Sequence, residues 1–94
     1  MSAEKLDLLR ELALDRAMMG WPLRVYAYLL KDLDQVEYRE VKSIVIARRL
    51  RLDDSNARKL LRILVVRGYL EVKGTPGAIP RYRLTASSAE SAVA

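Results

Sequence analysis

VKSIVIARRLRLDDSNARKLLRILVVRGYLEVKGTPGAIPRYRLT, residues 41–85, decides how this chain folds. Apolar residues fall at helical spacing twice and then at strand spacing twice. Val41, Ile44, Val45, Ala47 and Leu50 form the first stripe and predict a helix over 40–50. Arg51-Leu52-Asp53 follows as a short turn, with Leu52 expected to plug the core between two helices. Ala57, Leu61 and Leu64 then recur on the inward side of a second helix, predicted over 54–67. Either Asp53 or Asp54 caps it, since Asp54-Ser55-Asn56 is rich in cap-type side chains. Gly68 ends it, where a left-handed residue lets the chain swing into a strand. Tyr69 to Lys73 alternates as a strand, and Gly74-Thr75-Pro76-Gly77 is a turn signal. Arg81 to Leu84 is the returning strand, with Tyr82 and Leu84 on one face and Arg81 and Arg83 on the other. Pro80 stands at its start, where a missing donor is tolerated. The predicted class is mainly α with a small β-hairpin, an α+β domain.

Outward from this stretch, the N-terminal side reads as two further helices. Ser2 can cap the first, whose opening turn carries Glu4 and Asp7, the favourable charge for that end. Leu6, Leu9, Ala13 and Ala17 repeat at helical spacing, and Leu8, Leu12 and Met19 add a second stripe that Leu14 and Met18 widen. Gly20 is predicted to stop this helix. So broad an apolar surface either packs on the chain's own core or buries part of itself on a second copy. In the second case Leu6, Leu9, Leu12 and Ala13 form the dimer interface. Trp21-Pro22 restarts the chain, with proline suited to the first helical position. Val25, Leu29 and Leu33 line one face beside Tyr26 and Leu30, and Trp21 is expected to anchor the core or the helix junction. Three segments follow: 1–20, an N-terminal helix and potential dimerisation arm; 21–85, the main domain; and 86–94, a polar tail read as frayed or as a short helical extension.

Composition narrows the function. Ninety-four residues make one domain with one modest core. The chain has no cysteine and no histidine. That removes disulfides, thiolate metal sites and the usual general base and imidazole ligand. The carboxylates are scattered, with no convergent pair for acid–base work, so no enzyme, metal or cofactor is expected. No apolar run approaches the roughly 20 residues of a membrane span. Acidic residues come early, unlike a secretory signal, which points to a soluble, cytoplasmic protein. Net charge is +5 but uneven. Residues 1–38 hold five basic and seven acidic side chains, whereas residues 39–85 hold twelve basic and four acidic ones. A basic half attracts a polyanion; the plainer alternative is a solvated, arginine-rich surface.

The runs IARRLRLD (46–53), SNARKLLRIL (55–64) and RGYL (67–70), followed by RYRLT (81–85), resemble winged helix-turn-helix transcription regulators, the MarR-like group among them. The resemblance covers about half the chain; its elements are individually loose but specific in their order. It implies a winged helix-turn-helix preceded by an extra N-terminal helix, with a very short strand near Gln35–Arg39 pairing with the wing. It also implies that the second helix enters the major groove of double-stranded DNA. Ser55, Asn56, Arg58 and Lys59 would then sit where base edges are read, with Arg62 one turn later on a phosphate or the groove wall. Asparagine can pair with adenine and arginine with guanine, although Ser55 can equally be only a cap and Arg62 only solvated. Lys73, Arg81 and Arg83 would touch phosphate or the minor groove from the wing, or else form the outward face of an alternating strand. The family's turn usually has glycine where this chain has Arg51, which puts a charge at the corner.

The function expected from these residues is sequence-specific DNA binding by a homodimeric transcription regulator, with no small-molecule effector evident. Two alternatives stay open. Leu60, Ile63, Val65 and Val66, with Asp53 and Asp54 close by, suit a winged helix used for protein contact. A replication or packaging accessory protein would bind DNA with little sequence preference.

Overall fold

The computed structural model describes residues 2–85. The expected tail at 86–94 lies outside them. The domain is α+β, with four α-helices and a three-stranded antiparallel sheet. The elements run α1 (Ala3–Leu14), a 3-10 turn (Arg16–Met18), α2 (Trp21–Leu29), β1 (Arg39–Glu40), α3 (Ser43–Leu50), α4 (Asp54–Val66), β2 (Leu70–Lys73) and β3 (Arg81–Leu84).

One core joins them all. α4 packs against α2, α3 and β2, and α1 closes the far side of α2. Val25, Tyr26, Leu29, Ile46, Ala47, Ala57, Leu61 and Leu64 are buried from the helices, Leu30 and Leu33 from the chain that follows α2, and Leu70, Tyr82 and Leu84 from the sheet. Leu8, Leu12 and Met18 belong to the same cluster, so α1 and the 3-10 turn pack on the core of the domain. Leu12 is fully buried (0% exposed) in its own subunit, which corrects its assignment to a dimer interface. Leu6 (49% exposed) and Ala13 do face solvent, and Leu9 is half-buried at the edge of the core.

The first helix ends earlier than its apolar pattern predicts. Ser2 caps it by accepting from the Lys5 N–H, as expected. It stops at Leu14, because the Asp15 carboxylate turns back to accept from the Ala17 N–H and so opens the 3-10 turn. The same carboxylate accepts from Arg67 Nη2 at 2.9 Å and from the Tyr69 hydroxyl at 2.8 Å. It therefore ties the end of α1 to the end of α4 and the start of the hairpin. Gly20 does not stop α1; at φ +84° it begins α2, with Pro22 in the first turn.

The sheet order is β1-β3-β2. β1 pairs with β3, Arg39 opposite Tyr82 and Glu40 opposite Arg81. The short strand predicted at Gln35–Arg39 thus starts four residues later, at Arg39, and ends one residue later, at Glu40. The Asp34 carboxylate accepts from the N–H groups of Val36 and Glu37 and folds that stretch into a turn. With Glu40 in the strand, α3 starts at Ser43 and not at Glu40. In β2 and β3, Leu70 pairs with Leu84 and Val72 with Tyr82 toward the core side, while Glu71 pairs with Arg83 and Lys73 with Arg81 on the outer face.

Asp15 is held below its ordinary pKa of 3.8, first by the hydrogen bond from Arg67, then by Tyr69 and the Ala17 N–H. A carboxyl depressed in this way contributes stability above its unfolded pKa and loses it as pH falls through the folded value. Asp34 and Glu71 are also lowered, Asp34 chiefly by its backbone hydrogen bonds and Glu71 by Tyr38 and then Arg83. Unfolding free energy is therefore expected to drop from about pH 4 downward. Asp15→Asn should cost about 1–2 kcal/mol near neutrality and make that acid limb shallower. Urea melts across pH check both, and an unchanged acid limb in the variant would remove Asp15 from this role.

Candidate nucleic-acid interface

α4 buries one stripe and leaves the other in water. Ala57, Leu61 and Leu64 face the core as their spacing predicts. The opposite side carries Ser55, Asn56, Arg58, Lys59 and Arg62, all exposed. At 100° per residue these spread across one outward face. Arg58 lies on one flank and Asn56 on the other, with Ser55, Lys59 and Arg62 between them.

The start of α4 is fixed by its neighbours rather than by its own cap. Asp53 occupies the cap position with extended backbone, but its side chain makes no cap bond. Asp54 lies inside the helix; its carboxylate accepts from Ser43 Oγ at the start of α3 and pairs with Arg58 at 3.2 Å. Neither aspartate caps through its side chain, which corrects that expectation. Asp54 instead pins the two helix starts together and offsets one cation. The Arg58 side chain is 67% exposed, and a pair this open is weak enough for a phosphate to displace.

Two grooves flank α4. On the Arg58 side, a groove of about 410 Å³ runs between Lys42, Ile44, Asp54 and Arg58 and the hairpin tip, Gly77 to Pro80. The hairpin tip therefore lies beside the cationic start of α4. On the Asn56 side, a second groove of about 590 Å³ is lined by Trp21, Arg51, Leu52, Asn56, Lys59, Leu60 and Ile63. Trp21 is 40% exposed there, with the Arg24 guanidinium 4.4 Å over its ring. It is not the buried anchor its position suggested. Leu52 and Leu60 pack at the edge of the core, as does Val65, whereas Ile63 (39% exposed) and Val66 (72% exposed) stand outside it.

The hairpin's cations divide. Lys73 and Arg81 are exposed at the base of the hairpin loop, paired across the strands. Arg83 is half-buried and engaged. Its Nη2 donates to both carboxylate oxygens of Glu71, at 3.2 and 3.0 Å, and its guanidinium lies 4.6 Å over the Tyr38 ring. The Tyr38 hydroxyl donates to the same Glu71 at 2.8 Å. This is a cross-strand lock on the sheet's outer face, and it engages an arginine expected on DNA. Lys42 and Trp21 enter the two grooves without having been predicted there. Lys42 is visible in the sequence only as one more cation within the helix predicted over 40–50, and the apolar character of Trp21 pointed inward.

Arg51 stands at the corner between α3 and α4 with φ +59° and ψ +54°, the left-handed region. The Leu52 N–H reaches back to the Ala47 carbonyl at 2.9 Å and closes the turn. A side chain there is disfavoured by Cβ contact with the following carbonyl. Among the described residues, no helix is long and apolar enough to cross a membrane, and no group of three carboxylates, histidines or cysteines could hold a metal ion.

Comparison with protein-family models, with curated proteins and with solved structures gives no match for this chain.

Arg51→Gly is expected to raise the unfolding free energy by about 0.5–1 kcal/mol, the relief of the left-handed strain less glycine's entropy cost. Denaturant titration reads this directly, and a loss of stability would mean that the arginine's own contacts outweigh the strain.

Proposed function

We propose that this protein is a sequence-specific double-stranded DNA-binding regulator of the winged helix-turn-helix kind. α4 enters the major groove, and the hairpin loop at 74–80 lies against the flanking backbone or minor groove. The observation that carries this reading is the outward face of α4 at its N-terminal half. Ser55, Asn56, Arg58, Lys59 and Arg62 all face solvent there, beside an exposed hairpin tip. A helix buried along one stripe and studded with short polar and cationic groups along the other suits base edges at its start and phosphates at its margins. Lys42 and Arg51 extend the cationic margin at the two ends of α3, and Lys73 and Arg81 at the base of the hairpin. Sequence preference would come from Asn56 and Arg58, the side chains able to make two hydrogen bonds to one base.

A homodimer belongs to this proposal, since two copies would set two α4 helices on related half-sites. Its interface would use the exposed Leu6 and Ala13 of α1 with the half-buried Leu9. Leu12→Ala is no test of it, because a buried truncation of this kind costs about 2–5 kcal/mol of folding stability by itself. Sedimentation of wild type beside Leu6→Glu at tens of micromolar is the proper comparison, and a wild-type monomer would remove the dimer.

Fluorescence anisotropy of a labelled duplex across a salt series tests DNA binding. Affinity should fall steeply with salt; Lys59→Ala should reduce the log–log slope by about 0.9, one phosphate contact's worth, and Arg58→Ala should relax sequence preference. Arg83→Ala should leave that slope unchanged, because its charge is already matched by Glu71. No binding at low salt would end the DNA reading, and equal affinity for unrelated duplexes would end sequence specificity while leaving a DNA-coating role.

A further inference from the structure

The outward side of α4 changes character along its length. Its N-terminal half is polar and basic, while toward its C-terminus Ile63 and Val66 stand in solvent at 39% and 72% exposure. Across from Ile63, the exposed Trp21 at the start of α2 completes the 590 Å³ groove, with Leu52 and Leu60 on its floor. Ile63 continues the surface to Val66, between Arg62 and Arg67. Contiguous apolar surface framed by charge marks a protein contact rather than a phosphate contact.

The frame is cationic. Arg51 and Lys59 stand in the groove wall, Arg24 stacks on the Trp21 indole, and Arg62 borders Ile63 and Val66. Asp53 is the acid among the groove's lining residues. From Asn56 to Val66 the surface extends about 15 Å along the helix, close to three helical turns. We propose that this groove docks an acidic amphipathic helix from a partner protein. The helix lays its apolar stripe on Trp21, Leu60, Ile63 and Val66, and its acidic flanks meet Arg24, Arg51, Lys59 and Arg62. This is helix-in-groove recognition, in which apolar residues three and four apart supply the anchors. Asn56, Lys59 and Arg62 are shared with the face assigned to DNA, so the partner helix and the duplex exclude each other. That second part rests on the DNA reading; docking itself does not.

The chain has a single tryptophan, and it lies in the groove, so its emission reports occupancy without a label. The probe is a synthetic helical peptide of leucine and glutamate, with leucines at i, i+3, i+4 and i+7 spacing, beside its leucine–lysine counterpart. The glutamate peptide should shift Trp21 emission to the blue and release bound duplex, and the lysine peptide should do neither. Ile63→Asp should weaken the glutamate peptide by about tenfold or more, with the circular dichroism spectrum and the salt slope for DNA unchanged. Four results would overturn docking: no emission change up to millimolar peptide; equal titration of wild type and Ile63→Asp; a duplex-induced shift of Trp21 that Ile63→Asp abolishes, which makes the groove DNA surface; or a concentration-dependent shift of the protein alone that Ile63→Asp abolishes, which makes a second copy the occupant. Loss of DNA binding with the peptide-induced shift retained would refute the regulator reading and leave the groove standing.

Discussion

Ala57, Leu61 and Leu64 wedge α4 against α2, α3 and β2, and the positions of the remaining elements follow from that contact. Because these three side chains are committed inward, the 3.6-residue repeat fixes which residues look outward. Ser55, Asn56, Arg58, Lys59 and Arg62 gain a common face from what lies behind them, not from contacts with one another. The packing also requires the chain to turn sharply at both ends of α4. After it, Gly68 at φ +87° lets the Tyr69 N–H reach the Leu64 carbonyl and the Gly68 N–H reach that of Val65. This is the glycine closure common at helix ends. Before α4, α3 ends by the same kind of backward hydrogen bond, with Arg51 in glycine's place. One corner is relaxed and the other strained, and the strained one places a cation beside the outward face.

The elements legible in the sequence are those whose pattern has one physical cause. α4, β2 and β3 follow from a buried stripe, an alternating strand and a glycine, and they form within a residue of where these predict. The elements misread are those in which a polar side chain overrides the pattern. The apolar repeat of α1 runs on to Met19, yet Asp15 finds three donors outside the helix axis and ends it at Leu14. The repeat near Val36 suggests a strand, yet Asp34 captures two backbone N–H groups and makes a turn. Leu12 and Trp21 show the limit of hydrophobicity as a guide to burial. On a helix covered with leucine, the spacing does not say which stripe meets the core, and an indole at a helix start can lie against an arginine in solvent as readily as inside.

Charge was readable in total and misleading in detail. Twelve cations against four acids in residues 39–85 make a strongly positive half. Arg39, Arg58, Arg67 and Arg83 are nevertheless all engaged by carboxylates among the described residues, three of which, on Asp15, Asp34 and Glu37, come from the acidic half. These pairs differ in what they cost to break. Arg67 and Arg83 each donate to both oxygens of their carboxylate and are less exposed, so moving either arginine to a phosphate gives up two charge-assisted hydrogen bonds. Arg58 is the most exposed of the four, at 67%, and its partner Asp54 keeps the Ser43 hydroxyl after it leaves. The cation free to change partners is thus the one on the outward face of α4.

The two halves of that face differ in what they offer a ligand. A polyanion gains most where cations are exposed and replaceable, which holds from Ser55 to Arg62. It gains nothing from Ile63 and Val66, whose exposure costs hydrophobic free energy in the unbound protein. A surface that keeps such residues beside an open indole, within a cationic rim, is complementary to a ligand that is apolar along its centre and acidic at its edges. Duplex DNA supplies the negative edges without the apolar centre, and an acidic amphipathic helix supplies both. Since Lys59 and Arg62 belong to each surface, whichever ligand occupies α4 removes cations from the other. Competition between them then needs no change of shape in the domain.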